Sequence, residues 1–109
     1  MRVEWDEVKN RRNLRKHRIS FESARLVFCD PNVLAEQDRE VDGEERWLAA
    51  GVIGGSVTVV VAYTFREDGD DEVIRIISAR KASPRERRAY AEGNWPPGQG
   101  AGKPSANEG

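Results

Sequence analysis

Apolar residues run along this chain in short stretches, each bounded by charged or turn-forming residues. Arg2-Val3-Glu4-Trp5 alternates polar and apolar positions and predicts a short strand. Asp6 is placed to cap a helix, with Glu7 in its first turn and Arg15, Lys16 and His17 in its last. That order suits the helix dipole. Val8 and Leu14 are the only apolar positions there, so the helix is expected to pack along one narrow stripe. Ser20 caps a second predicted helix, Phe21–Phe28, with Phe21, Ala24, Leu26, Val27 and Phe28 on its apolar side. Asp30-Pro31 ends it, because a residue before proline avoids the helical region.

Strand signals dominate the next stretch. A weak strand is expected near Val33–Glu36, and stronger ones over Arg46–Ile53, Ser56–Arg66 and Val73–Arg80. Gly54-Gly55 is a hairpin signal between the first two strong strands. Glu67–Glu72, which contains Gly69, is expected to be an acidic turn. Within Ser56–Arg66 the residues Val57, Val59, Val61, Tyr63 and Phe65 share one face, and Thr58, Val60, Ala62, Thr64 and Arg66 share the other. The first face must pack on helices. The second, half-polar face is a candidate open surface for a ligand or partner. A last helix, Pro84–Glu92, has Ser83 as cap, Pro84 at its first position and Glu86 completing a Ser-x-x-Glu capping box.

These elements describe a small α+β domain over residues 1–93: an N-terminal strand and two helices, an antiparallel sheet and a C-terminal helix. From Asn94 the composition shifts to Pro, Gly, Ser, Ala and Asn, with Trp95 the only large apolar residue. Asn94–Gly109 therefore reads as a disordered tail.

Composition narrows the class. The chain is 38% hydrophobic and 34% charged, which suits a soluble domain with one modest core. No apolar run approaches a membrane span and no signal peptide is visible, so a cytoplasmic location and no membrane contact are expected. Cys29 is the single cysteine and excludes an internal disulfide; with one His beside it, no ordinary zinc site is possible. No metal and no cofactor are expected.

The net charge of −1 hides segregation. Residues 1–28 carry eight Lys/Arg against four Asp/Glu, residues 29–72 carry three against twelve, and residues 73–109 carry seven against three. If the basic ends meet in the fold they form a patch suited to phosphates. The junction Val73–Gly93 is densest: Arg75, Arg80 and Lys81 on or after a strand, then Arg85, Arg87, Arg88 and Tyr90 on the helix.

Three blocks in order, WDEVKNRRNLRKHRISFESARLVFCDP, GEERWLAAG and VIRIISARKASPRERRAYAEG, resemble the BrnT toxins of bacterial type II toxin–antitoxin systems over about residues 3–93. The resemblance implies a RelE-like fold and a ribonuclease that stops translation. It also implies neutralisation by a BrnA-like antitoxin, whose ribbon-helix-helix end binds operator DNA so that the complex represses its own operon. Matched positions are Lys9, Asn13, Lys16, His17, Phe21 and Glu22, then Glu45 and Arg46, then Arg75, Arg80, Glu86 and Tyr90. After Lys-His the family usually has a glycine, which suits a left-handed helix end. Here Arg18 stands instead, so either the turn is built differently or Arg18 bears strain.

Metal-free RNA cleavage needs a base near the 2′-hydroxyl, cations for the phosphoryl charge and an acid for the leaving oxygen. The catalytic candidates are Arg80, His17, Arg46, Glu45 and Tyr90, and the candidates for holding RNA are Lys16, Arg75, Lys81, Arg85 and Arg88. His17 is the one side chain titrating near neutrality without a large shift. Each has a structural alternative. His17 at a helix end satisfies carbonyls, Glu86 caps, Glu45 beside Arg46 forms a surface pair, and Tyr90 packs on the sheet. In a regular strand Arg75 and Arg80 point to opposite faces. They share a site only if a bulge intervenes or Arg80 lies past the strand end, and the Ala79-Arg80-Lys81 run favours the latter. A non-catalytic RNA-binding or transcription-regulatory protein would use the same basic face. Paired exposed aromatics and a DNA-reading motif, which such proteins use, are both missing from the sequence.

Overall fold

A five-stranded sheet in the order β1-β5-β4-β3-β2 organises the computed structural model, which describes residues 1–97. β1 (Arg2–Trp5) lies parallel to β5 (Asp71–Lys81). β4 (Val57–Asp68), β3 (Glu44–Ile53) and β2 (Leu34–Val41) complete the sheet in antiparallel pairs. The expected α+β architecture is present, with one parallel pair that the first strand introduces by crossing to β5.

The first face of β4 carries the main core. Val59, Val61 and Tyr63 pack with Ile74, Ile76 and Ala79 of β5 beneath Ile19, Phe21, Ala24 and Val27. α1 (Glu7–His17) and α2 (Phe21–Ala24) belong to this side. The predicted helix Phe21–Phe28 is split: α2 ends at Ala24 and a 3-10 turn continues over Arg25–Cys29. The tighter turn brings Val27 onto Gly51 of β3. A Cβ on Gly51 would stand 2.9 Å from Val27 Cγ1 and 3.0 Å from its carbonyl oxygen, so only glycine fits.

The second face is open at one end only. α3 (Pro84–Ala91) and the chain beyond it cover the other, where Ala50, Val60, Ala82, Ala89 and Trp95 form a second core bordered by Leu34, Leu48 and Tyr90. Of the tail expected over Asn94–Gly109, residues 94–97 are described and Trp95 is 8% exposed, because its ring completes that second core. The rest of the expected tail lies outside the described residues. Among those described, no helix is long and apolar enough to cross a membrane.

Two strand expectations are corrected. The weak strand near Val33–Glu36 is an eight-residue edge strand, Leu34–Val41, and β3 starts at Glu44 rather than Arg46. The turn joining them is Asp42-Gly43, with φ of 52° and 80°, the conformation that favours Asp-Gly in two-residue hairpins. The charged residues that masked β2 are those that protect a sheet edge. The acidic stretch Glu67–Glu72 is mostly strand: Glu67 pairs with Glu72 and Asp68 with Asp71, leaving a turn at Gly69-Asp70. Arg2 bridges Asp68 at 3.0 Å and Asp71 at 3.6 Å, and the terminal amine meets Asp71 at 3.1 Å. These cations offset the like charges across the hairpin.

Candidate functional site

The register between β4 and β5 slips at one place. Ala62 pairs with Ser78 and Tyr63 with Ile76, which leaves Ile77 as the extra residue of a β-bulge. One inserted residue reverses the parity of everything beyond it. Arg75 stands opposite Thr64 and Arg80 opposite Val60, both on the second face of β4. Arg75 and Arg80 therefore share a face although five positions separate them. The bulge achieves this, not an early strand end: Arg80 lies inside β5. Arg46 joins the same face from β3, two residues before Leu48, which pairs with Ala62. Arg66 and Ser78 lie there as well.

Carboxylates hold several of these guanidinium groups. Arg80 meets Glu86 with two parallel bonds, Nη1 to Oε1 at 2.7 Å and Nη2 to Oε2 at 3.0 Å. The Ser83 N–H donates to the same Glu86 Oε1 at 2.9 Å, so the capping box of α3 and the grip on Arg80 use one carboxylate. Arg80 lowers the Glu86 pKa to about 2, and Glu86 in turn raises that of Arg80. Glu4 on β1 lies 3.2 Å from Arg66 and 3.5 Å from Arg75, and its pKa is lowered chiefly by the bond from Arg66. Arg46 is half-buried, and its buried Nε has no hydrogen-bond partner among the described residues.

Around the edge of β5 lies a second basic element. β1 accompanies β5 only as far as Ile76, after which α1 takes its place. Asn13 makes the junction: its Nδ2 donates to Ala79 O at 2.9 Å and its Oδ1 accepts from Ala79 N at 3.1 Å. The same Nδ2 donates to Ile19 O at 2.9 Å. Asn10 binds the α2 start, accepting from Phe21 N at 2.8 Å and donating to Glu22 at 3.0 Å. Polar bonds thus anchor α1, while Val8 and Leu14, its expected packing stripe, are exposed. Between helix and bulge is a cleft of about 230 Å³ lined by Lys9, Arg12, Asn13, Lys16, His17, Ile77 and Ser78. Ser78 connects the cleft to the arginine face. His17 sits in the last turn, and Arg18 ends α1 in the left-handed conformation, φ 63° and ψ 26°, with its N–H on Leu14 O. The turn is the usual one for this helix end, and Arg18 carries the strain glycine would avoid.

Other candidates lie elsewhere. Glu45 has the parity of Trp47, opposite to Arg46, and stands across from Glu40. Tyr90 donates its hydroxyl to Asp30, which also accepts from Val52 N at 2.7 Å; with burial first and Asp30 second as causes, its pKa rises to about 12. It latches α3 to the end of the 3-10 turn that precedes β2. Lys81 pairs with Val59 of the first face and lines a groove with Ser56, Val57, Thr58, Ala82 and Arg87. Arg85 and Arg88 are exposed on α3. The residues that sequence reasoning left out are Arg12 and Ser78; Arg66 lies on the half-polar face of β4 that the sequence offered as a candidate surface. The spacing of Lys9, Arg12 and Lys16 on one helical stripe was the available signal. Among the described residues, no group of three or more His, Cys, Asp or Glu side chains is arranged to hold a metal ion.

Comparison with known proteins adds the family. The model described as "Ribonuclease toxin, BrnT, of type II toxin-antitoxin system" matches residues 5–86. The crystal structure of the Brucella abortus ribonuclease toxin BrnT is similar, with a TM-score of 0.53 and 25% identity over 76% of this chain and 97% of that one. No curated protein matches. The matched residues span α1, the sheet from β2 to β5 and the capping box of α3. The chain therefore belongs to the BrnT family of ribonuclease toxins of type II toxin–antitoxin systems.

Proposed function

We propose that this protein is a metal-independent endoribonuclease acting in the cytoplasm, whose cleavage of RNA inhibits translation. The observation that carries the reading is the bulge at Ile77, which brings Arg75 and Arg80 to one sheet face, the face that also carries Arg46, beside the cleft that holds His17. In such a reaction the 2′-hydroxyl oxygen attacks the adjacent phosphorus as its proton leaves to a base. The bond to the 5′-oxygen breaks, that oxygen gains a proton, and a 2′,3′-cyclic phosphate remains. His17, which lines that cleft, is the group assigned to proton transfer. Arg80 is the group suited to the phosphoryl charge: Glu86 takes two of its five N–H bonds and orients the remainder. Arg75 and Arg46 extend the cationic face along the RNA. Tyr90 and Glu45 have no part in this arrangement, since Tyr90 is engaged by Asp30 and Glu45 lies on the far side of β3.

Membership of a type II family implies an antitoxin. We infer that it is BrnA-like, that it covers the arginine face, and that operator DNA is reached only through the complex. The test is to purify the protein with the product of its neighbouring gene, release it, and incubate it with RNA in EDTA. Cleavage in EDTA is expected. Loss of cleavage with rescue by Mg²⁺ would overturn the metal-free mechanism.

A further inference from the structure

Four of the strand arginines differ from the α1 cations in one respect. Arg2, Arg66, Arg75 and Arg80 each lie within 4.0 Å of a carboxylate. Lys9, Arg12, Lys16 and His17 have no such ion pair among the described residues, and no acid lines their cleft. Two acids lie before them: Asp6 is committed to the N–H groups of Val8 and Lys9, and Glu7 accepts from Trp5 Nε1 and Asn10 Nδ2, both at 3.1 Å. Like charges three or four residues apart on a helix repel, so the stripe lowers the stability of α1. The helix dipole compensates only the last turn, where Lys16 lies, and not Lys9 or Arg12.

We propose that this cleft is a phosphodiester subsite for single-stranded RNA, in which Lys9, Arg12 and Lys16 hold a backbone phosphate next to the bond that is cut. The proposal rests on the ribonuclease reading above. Three observations support it beyond charge. The cleft is rigid at its base, because Asn13 is 7% exposed and bonded in both directions to Ala79. Its floor is the bulge itself, so the strand distortion that aligns Arg75 with Arg80 also shapes the cleft. Its volume of about 230 Å³ suits one phosphate with its sugar and is too small for a duplex. A single strand can bend around the edge of β5 past Ser78, from the α1 cleft onto the arginine face; a stiff duplex cannot.

The experiment uses a fluorescent single-stranded oligonucleotide with 2′-O-methyl groups, which lacks the nucleophile and reports binding alone. Its affinity for the full-length protein and for the triple variant Lys9→Gln, Arg12→Gln, Lys16→Gln is measured across a salt series. The variant should lose at least about tenfold in affinity at 0.1 M salt, and its salt slope should fall by roughly 0.7 for each phosphate released. Its melting temperature should be unchanged or higher, since the three groups have no partners to lose. A variant that binds and responds to salt like the parent, while the parent still cleaves RNA, would overturn the subsite and leave the activity standing. A parent that neither binds nor cleaves RNA would overturn both. A variant that keeps RNA binding but loses the antitoxin would assign the cleft to a protein partner and overturn the proposal.

Discussion

Asn13 and Ala79 exchange two hydrogen bonds, the side-chain amide of one closing a ring with the backbone of the other. This pair joins α1 to the strand that carries Arg80. It replaces, with one side chain, the backbone pairing that β5 loses where β1 ends.

The pair should dominate the stability of the N-terminal half. Asn13→Leu keeps the size but leaves the Ala79 N–H and the Ala79 and Ile19 carbonyls without Asn13. Each buried orphan costs about 1–3 kcal/mol, so a loss of at least about 3 kcal/mol is expected in urea unfolding. A loss below about 1 kcal/mol would show that water or a neighbour replaces the amide.

Arg18 offers a change in the other direction. Its left-handed backbone is strained for any residue with a Cβ. Arg18→Gly should stabilise the fold by about 1 kcal/mol, seen as a higher denaturant midpoint at unchanged m-value. Arg18→Ala should bring no such gain.

Trp95 is expected to matter despite its place in a stretch rich in proline and glycine. It is 8% exposed and packs with Ala50, Val60, Ala82 and Ala89. Trp95→Ala should cost about 3 kcal/mol, the scale for removing a buried large aromatic. A shift in melting temperature within error would mean that the second core closes without it.

Much of this fold was readable from the chain. The Ser83 capping box, the Gly54-Gly55 hairpin and the two faces of β4 follow from local chemistry and parity, and each is present. What could not be read depends on partners distant in sequence. The bulge at Ile77 has no local sign, because an apolar residue suits either parity. The role of Asn10 and Asn13 was hidden for a similar reason: buried asparagines look like surface residues until their backbone partners, Phe21, Ile19 and Ala79, are known. The composition around Trp95 is that of a tail, and its ring is seen to belong to the core only once Ala50, Val60, Ala82 and Ala89 are brought beside it. Of the candidate site, Arg46, Arg75 and Arg80 are brought to one face and His17 with Lys16 to the adjoining cleft, while Glu45, Tyr90 and Lys81 point elsewhere.

The Arg80–Glu86 pair predicts an acid dependence. The Glu86 pKa in the fold is about 2, below the usual carboxylate range, so folding favours the ionised form. Its stabilising contribution is complete above the unperturbed value of 4.5 and is lost as the pH falls toward 2. Glu86→Gln keeps an oxygen for the Ser83 N–H but loses the charge. In urea unfolding from pH 6 to pH 2 the variant should start less stable and fall less steeply than the parent. Parallel curves would show that the pair contributes nothing to folding.

The most direct test is the cleavage rate of Arg80→Ala in EDTA, with circular dichroism and antitoxin capture as folding controls. Arg80→Ala should fold, bind the antitoxin and lose roughly 10²-fold or more in rate, the scale of one lost electrostatic donor. Arg80→Lys should recover only part of this, because an ammonium lacks the planar fork, and Arg85→Ala on the exposed side of α3 should lose far less. An Arg80→Ala protein that is folded and cleaves RNA at the parental rate would contradict the placement of the reaction on this face of the sheet.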